Sequence, residues 1–272
     1  MPSNNPAFGR GFARSGSGQA GWGAQPQYGA PGQYGAPTQY DPYAAPSPYA
    51  ATTTRYMTMD DVVMKTGLSF LVTVLAAAAV WAVPGYAAFS FALPALMIAF
   101  ILGMVISFKQ IANPAATLAY AALEGVFLGA ISEAFNARWP GVVTQAVIGT
   151  FGVFAGMLIV YKTGAIRVTP KFTRGILAAL VGVLVLMLAN GIAYFFTPGG
   201  LGLRTGGPIA IVFSLIVIGV AAFSLLVDFD MADEAIRRGA PAKFAWYIAF
   251  GLLVTVVWLY LEILRLLSYF RD

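Results

Sequence analysis

Five carboxylates fall within or at the ends of long apolar runs: Glu124, Glu133, Asp228, Asp230 and Glu262, with Arg265 as a matching cation. An ionised side chain at hydrocarbon depth costs about 3 kcal/mol even on lenient scales, so each needs a partner, a proton or water. The chain contains neither Cys nor His. That excludes thiol catalysis, disulfides, thiolate clusters, a Ser/His dyad, His-held haem and imidazole zinc. What remains is carboxylate chemistry, meaning proton exchange and coordination of hard cations such as calcium.

Glu124 lies nine residues into an apolar stretch that begins at Ala115, about 13 Å deep at the helical rise and close to mid-membrane. Thr117, Tyr120 and Glu124 share one helical face. Two readings stay open: a neutral Glu bonded to Tyr120 as structural glue, or an ion or proton ligand. Asp228 and Asp230 end another stretch. Positions two apart point about 200° apart on a helix, so only one faces inward. Ser224, one turn earlier, favours Asp228. The pairs Asp233–Arg237 and Glu234–Arg238 are spaced i, i+4 and read as a solvated helical extension. Gly251, Thr255, Trp258, Glu262 and Arg265 share a face of the last stretch. There Glu262 and Arg265 form either a plain internal ion pair or part of a functional site.

The elements that must carry these groups are membrane helices. Hydrophobic residues make up 59% of the 272 and charged residues 10%, far below the roughly 25% of soluble domains. Eight of the sixteen prolines occur in the first 48 residues, so the remainder is greasier still. Seven stretches reach the length needed to cross a bilayer: about Met64–Val83, Tyr86–Phe108, Ala115–Phe135, Val142–Tyr161, Gly175–Phe196, Ile209–Asp228 and Phe244–Tyr269. The expected fold class is an all-α integral membrane protein, a seven-transmembrane helix bundle at residues 56–272 behind a disordered tail at residues 1–55. The tail repeats Gln27-Tyr-Gly-Ala-Pro-Gly, Gln33-Tyr-Gly-Ala-Pro-Thr and Gln39-Tyr-Asp-Pro, a composition too poor in apolar residues to offset its ordering entropy. It reads as a solvated segment or as a docking segment for a membrane-protein partner. No apolar run precedes Leu68, so no signal peptide is expected. Gly125-x-x-x-Gly129 and Gly152-x-x-x-Gly156 are expected to pack inside the bundle.

Ten cations fall on one side of the spans: Arg55 and Lys65; Lys109; Lys162, Arg167, Lys171 and Arg174; Arg237, Arg238 and Lys243. Only Arg138, Arg204 and Arg271 fall on the other. The positive side is cytoplasmic, which orients the N-terminus inward and the C-terminus outward, with a plasma membrane as the simplest setting. The net charge of +5 thus suits membrane lipid, and no nucleic-acid partner is expected.

Glu124-Gly-Val-Phe-Leu-Gly in the third span, Leu226-Val-Asp228-Phe-Asp in the sixth and Leu259-Tyr-Leu-Glu262-Ile-Leu in the last resemble the Bax inhibitor-1 family. The likeness runs to its bacterial YccA-like branch, of the actinobacterial type with a Tyr/Gly/Pro-rich head, and covers about residues 56–272. It implies a pH-sensitive calcium leak in which two acidic groups hold the pore closed. Asp228 matches the first of these, Glu262 the second (the family has Asp there), and Glu124 matches the acidic position of the Glu-Gly motif. Read by depth, Asp228 lies at the inner end, Glu124 midway, and Glu133 and Glu262 toward the outside, a staircase of oxygen ligands. The expected function is a calcium-permeable leak or proton-coupled cation carrier, with Asp228, Glu262, Glu124 and Asp230 as ion-binding or pH-sensing residues. Asp228 and Glu124 are the expected calcium ligands, and no other cofactor is expected. The alternative is a multi-pass regulator of another membrane protein such as a protease. An enzyme is not expected: Pro94-Ala-Leu96 faintly resembles an intramembrane aspartyl protease motif, but its Gly-x-Gly-Asp is missing. Without His, a response between pH 5 and 8 must come from carboxyls shielded from water. It is expected at about pH 5–7 and from Asp228 more than Asp230.

Overall fold

The computed structural model describes residues 55–82 and 87–271. The expected tail, its Tyr/Gly/Pro repeats and the Pro84-Gly85 connection lie outside the described residues, apart from Arg55. Seven long helices follow one another: α1 (Met59–Trp81), α2 (Ala87–Lys109), α3 (Pro114–Arg138), α4 (Val142–Thr163), α5 (Pro170–Tyr194), α6 (Pro208–Arg237) and α7 (Ala245–Tyr269). A 3₁₀ turn at Ala242–Phe244 leads into α7. All seven are long and apolar enough to cross a membrane, so the protein is an all-helical, multi-pass membrane protein.

Local chemistry sets the helix ends. Thr58 caps α1 in a reciprocal capping box with Asp61, satisfying donors that the first turn would otherwise leave open. Asn113 and Thr169 cap α3 and α5, each followed by Pro at the first helical position, where the missing N–H costs nothing. Gly164 ends α4 in the left-handed region at φ 67°, a conformation that side chains with a Cβ resist. The sixth helix includes the extension that its ion-pair spacing predicts. α6 runs nine residues past Asp228, to Arg237. The acidic residues that seemed to mark its end are instead held by Arg237–Asp233 (3.2 Å) and Arg238–Glu234 (2.7 Å) pairs, the expected extension of the helix.

α7 is the most enclosed helix and α5 the least. α7 packs on α1, α3, α4 and α6, whereas α5 leans on α6. The chain entering α1 is tied to the start of α7. Met57 N–H donates to Ala240 O at 2.8 Å and Ala242 N–H to Arg55 O at 2.8 Å. Lys65 Nζ donates to Ala242 O at 2.6 Å, and Asp61 pairs with Arg55 and Lys65 at 3.2 and 3.5 Å. Arg55, assigned above to the tail, therefore belongs to the folded part.

The two glycine pairs part company. A Cβ on Gly125 would stand 2.4 Å from Thr73 O, and one on Gly129 2.5 Å from Ala77 O. α1 and α3 thus touch backbone to backbone, and Thr73 Oγ1 donates to Ala121 O at 3.1 Å across the seam. Around Gly152 and Gly156 an added Cβ meets nothing within 4 Å. This second pair faces outward and does not pack inside the bundle, since α4 turns it away from its neighbours. Gly129→Val should therefore cost about 1–3 kcal/mol by overpacking the α1–α3 seam. Gly152→Val should leave stability within about 0.5 kcal/mol of the parent. Thermal unfolding of the purified variants in one detergent, followed by circular dichroism, separates the two.

Candidate functional site

α3 and α7 run side by side in the same direction. Thr117 Oγ1 donates to Trp246 O at 3.1 Å, the rings of Tyr120 and Phe250 meet edge-on at 4.8 Å, and Ser132 Oγ and Tyr260 OH lie 2.6 Å apart. Phe250, Leu253, Val257 and Tyr260 make one stripe of α7 by helical spacing, and that stripe meets α3. Thr255 and Glu262, seven residues apart, fall on a different stripe. Thr255 Oγ1 donates to Asp228 Oδ2 of α6 at 2.7 Å, while Glu262 meets Arg204 from the α5–α6 connection.

This register locates the carboxylates relative to one another. Glu124 lies between Tyr120 and Ser132 on α3 and so falls level with about Leu253. Asp228 is bonded two residues further on. The two therefore stand at nearly one depth, near the middle of α7, with the α7 backbone between them. The expected staircase is corrected accordingly. Asp228 is not at the inner end of its helix, because α6 continues beyond it, and Thr255 is ten residues into α7, about 15 Å along its axis. Among the described residues no three acidic side chains converge on one point, and Glu124 and Asp228 reach different faces of α7.

Glu124 is buried and accepts a 2.7 Å hydrogen bond from Tyr120 OH, as one of its two readings anticipated. Neither Glu124 nor Asp228 has a cationic partner among the described residues. The Asp228 contact has a further property. The Thr255 hydroxyl also reaches Gly251 O at 3.2 Å. A hydroxyl has one hydrogen and two lone pairs. It can donate to an ionised Asp228, or donate to Gly251 O while accepting the proton of a neutral Asp228. Both protonation states are served without moving a heavy atom. Asp230 and Asp233 lie instead beside Tyr161 of α4, whose hydroxyl donates to Asp233 at 3.4 Å. Asp228 and Asp230 thus face different helices, as their spacing requires.

Glu262 is 2% exposed and fully answered. Arg204 grips it with two hydrogen bonds, Nη1 to Oε2 at 3.1 Å and Nη2 to Oε1 at 2.8 Å. Arg265 adds a longer one at 3.4 Å. The pairing with Arg265 was readable from spacing, but the stronger partner lies 58 residues away. Its only trace in the chain is a lone cation in a glycine-rich connection. Gly199, Gly200, Gly202 and Gly206 there take φ of 89, 59, 76 and 85°, bending the connection so that Arg204 reaches into the bundle. Phe213 lies under its guanidinium at 5.7 Å and Met187 Sδ accepts at 3.2 Å. Asp228 and Glu262 therefore have separate partners. Glu133 Oε2 is buried without a hydrogen-bond partner among the described residues.

Removing Arg204 strands a buried charge. Arg204→Ala should destabilise the protein by about 3 kcal/mol, and adding Glu262→Gln should restore part of that loss. Unfolding midpoints of the single and double variants in one detergent measure the coupling.

Residues 5–272 match the family model described as Bax inhibitor 1 like. Over 81 residues the chain is 30% identical to an uncharacterized protein of Chlamydia muridarum (strain MoPn / Nigg), a stretch that covers 30% of this chain and 34% of that relative. The seven membrane helices and a match that leaves out only the first four residues lead to one conclusion: the chain belongs to the Bax inhibitor-1-like family.

Proposed function

We propose that the protein is a pH-sensitive cation leak or proton-coupled cation carrier, with calcium as the expected ion and Asp228 as the group that exchanges proton for cation. One observation carries this reading. Asp228 meets α7 near the middle of that helix without a cationic partner among the described residues, held by a hydroxyl that serves its ionised and neutral forms alike. A carboxylate kept permanently ionised for structure alone would be expected to carry a neutralising partner, as Glu262 does. Glu124, at the same level but across α7 from Asp228, is a separate oxygen ligand. Asp230, beside Tyr161, contributes field at the mouth. Glu262 has a structural part, its charge being held by two arginines. The proposed setting is the plasma membrane with the N-terminus in the cytoplasm, which agrees with the excess of Lys and Arg on that side.

The sign of the pH effect follows from the chemistry. An ionised Asp228 attracts a cation, and a proton on it removes that attraction. Calcium entry into liposomes holding the full-length protein should fall as the pH is lowered. Asp228→Asn should stay at the low, acid-like level at every pH, roughly tenfold below the parent at its maximum. Asp230→Asn should keep most of the pH response. Thr255→Val should shift the response, because the amphoteric contact is gone. A profile for Asp228→Asn that overlays the parent would refute the assignment. Flux no higher than in empty liposomes would favour the regulatory alternative.

A further inference from the structure

A cavity of about 570 Å³ opens between α5, α6 and α7, where the glycine-rich connection folds back onto the bundle. We propose that it binds a phosphate head of net negative charge carried on an apolar body.

The walls are apolar over most of their extent, with Leu203, Phe213, Trp258 and Leu261 among them. The charged lining is unequal. Arg204 and Arg265 contribute two positive charges and Glu262 one negative. Arg204 is committed to Glu262 through two short bonds and to the Met187 sulfur. Arg265 is not committed. Among the described residues its one side-chain hydrogen bond is the 3.4 Å contact to Glu262, and its side chain is 36% exposed. The remaining donors of its guanidinium fork have no partner among the described residues. Asn190 also lines the cavity. Its carbonyl oxygen accepts from Leu201 N–H at 3.0 Å, which leaves the amide nitrogen as a second unspent donor. A surplus positive charge with unspent planar donors suits an oxyanion, and it repels the cations that the proposed pathway would carry. The volume matches a medium-sized ligand. Two sources share this chemistry: the headgroup of an anionic phospholipid and soluble phosphate. The apolar walls favour the lipid.

Two substitutions test the site while leaving the Arg204–Glu262 pair in place. Arg265→Gln removes the surplus charge. Gly191→Phe fills space, since Gly191 lines the cavity and a Cβ there meets nothing within 4 Å. Full-length protein in nanodiscs would be titrated with phosphatidylglycerol or phosphatidylcholine, and retained lipid counted by native mass spectrometry. Phosphatidylglycerol should bind the parent more tightly than phosphatidylcholine, and both variants should bind it about tenfold more weakly. Displacement by millimolar inorganic phosphate would identify the phosphate alone as sufficient. Resistance to displacement would show that the acyl body is also required. Equal retention of the two lipids by the parent, or unchanged phosphatidylglycerol binding in both variants, would overturn the proposal.

Discussion

A charge at hydrocarbon depth must be answered by an opposite charge, a proton or water, and this requirement sorts the acidic groups around α7. Glu262 is answered by charge, and the answer fixes the backbone nearby. The α5–α6 connection turns through four left-handed glycines to deliver Arg204, and Arg204 in turn positions Phe213 and Met187 against it. Among the described residues, Asp228 and Glu124 are answered only by hydroxyls. Their neutral and ionised forms therefore differ little in contacts and greatly in field. α7 thus carries one carboxylate locked by charge, Glu262, and packs beside another, Asp228 of α6, that a hydroxyl holds.

The same helix depends on close packing elsewhere. α1 can lie against α3 only because Gly125 and Gly129 present no side chain to it. That approach lets Thr73 of α1 reach Ala121 O across the seam, while Ser69 and Thr73 also bond carbonyls one turn back in α1 itself, which in lipid is the alternative to an unsatisfied hydroxyl. The open Gly152 and Gly156 carry the same spacing without the partner. Spacing alone therefore does not say which small-residue face is buried.

Much of the fold was legible because the bilayer simplifies the code. A run of about 20 apolar residues has few structural options, and all seven were found as helices. The Thr117–Tyr120–Glu124 stripe and the inward turn of Asp228 followed from helical periodicity, and Thr255 was already assigned to the Glu262 face. What periodicity cannot carry is depth and distant pairing. Acidic residues near Asp228 imitated the end of a span, although i, i+4 ion pairs prolong α6 there. Arg204 counted only as one cation of the sparse side, because a loop that folds back into a bundle leaves no period. Helix-to-helix register, which brings Glu124 and Asp228 to one level, emerges only when side chains interlock.

The position of α7 has a consequence for how the chain is made. The helix that touches α1, α3, α4 and α6 leaves the ribosome after all four of them. Until it arrives, Asp228 lacks Thr255, Arg204 lacks Glu262 and the entry strand at Arg55 lacks Ala242. The six earlier helices must therefore wait in the bilayer as a loose, half-polar assembly, and the sealing event is a single late insertion. A chain stopped short of α7 would keep most of its hydrophobic mass yet present two unanswered charges to lipid, the kind of defect that membrane quality control is placed to recognise.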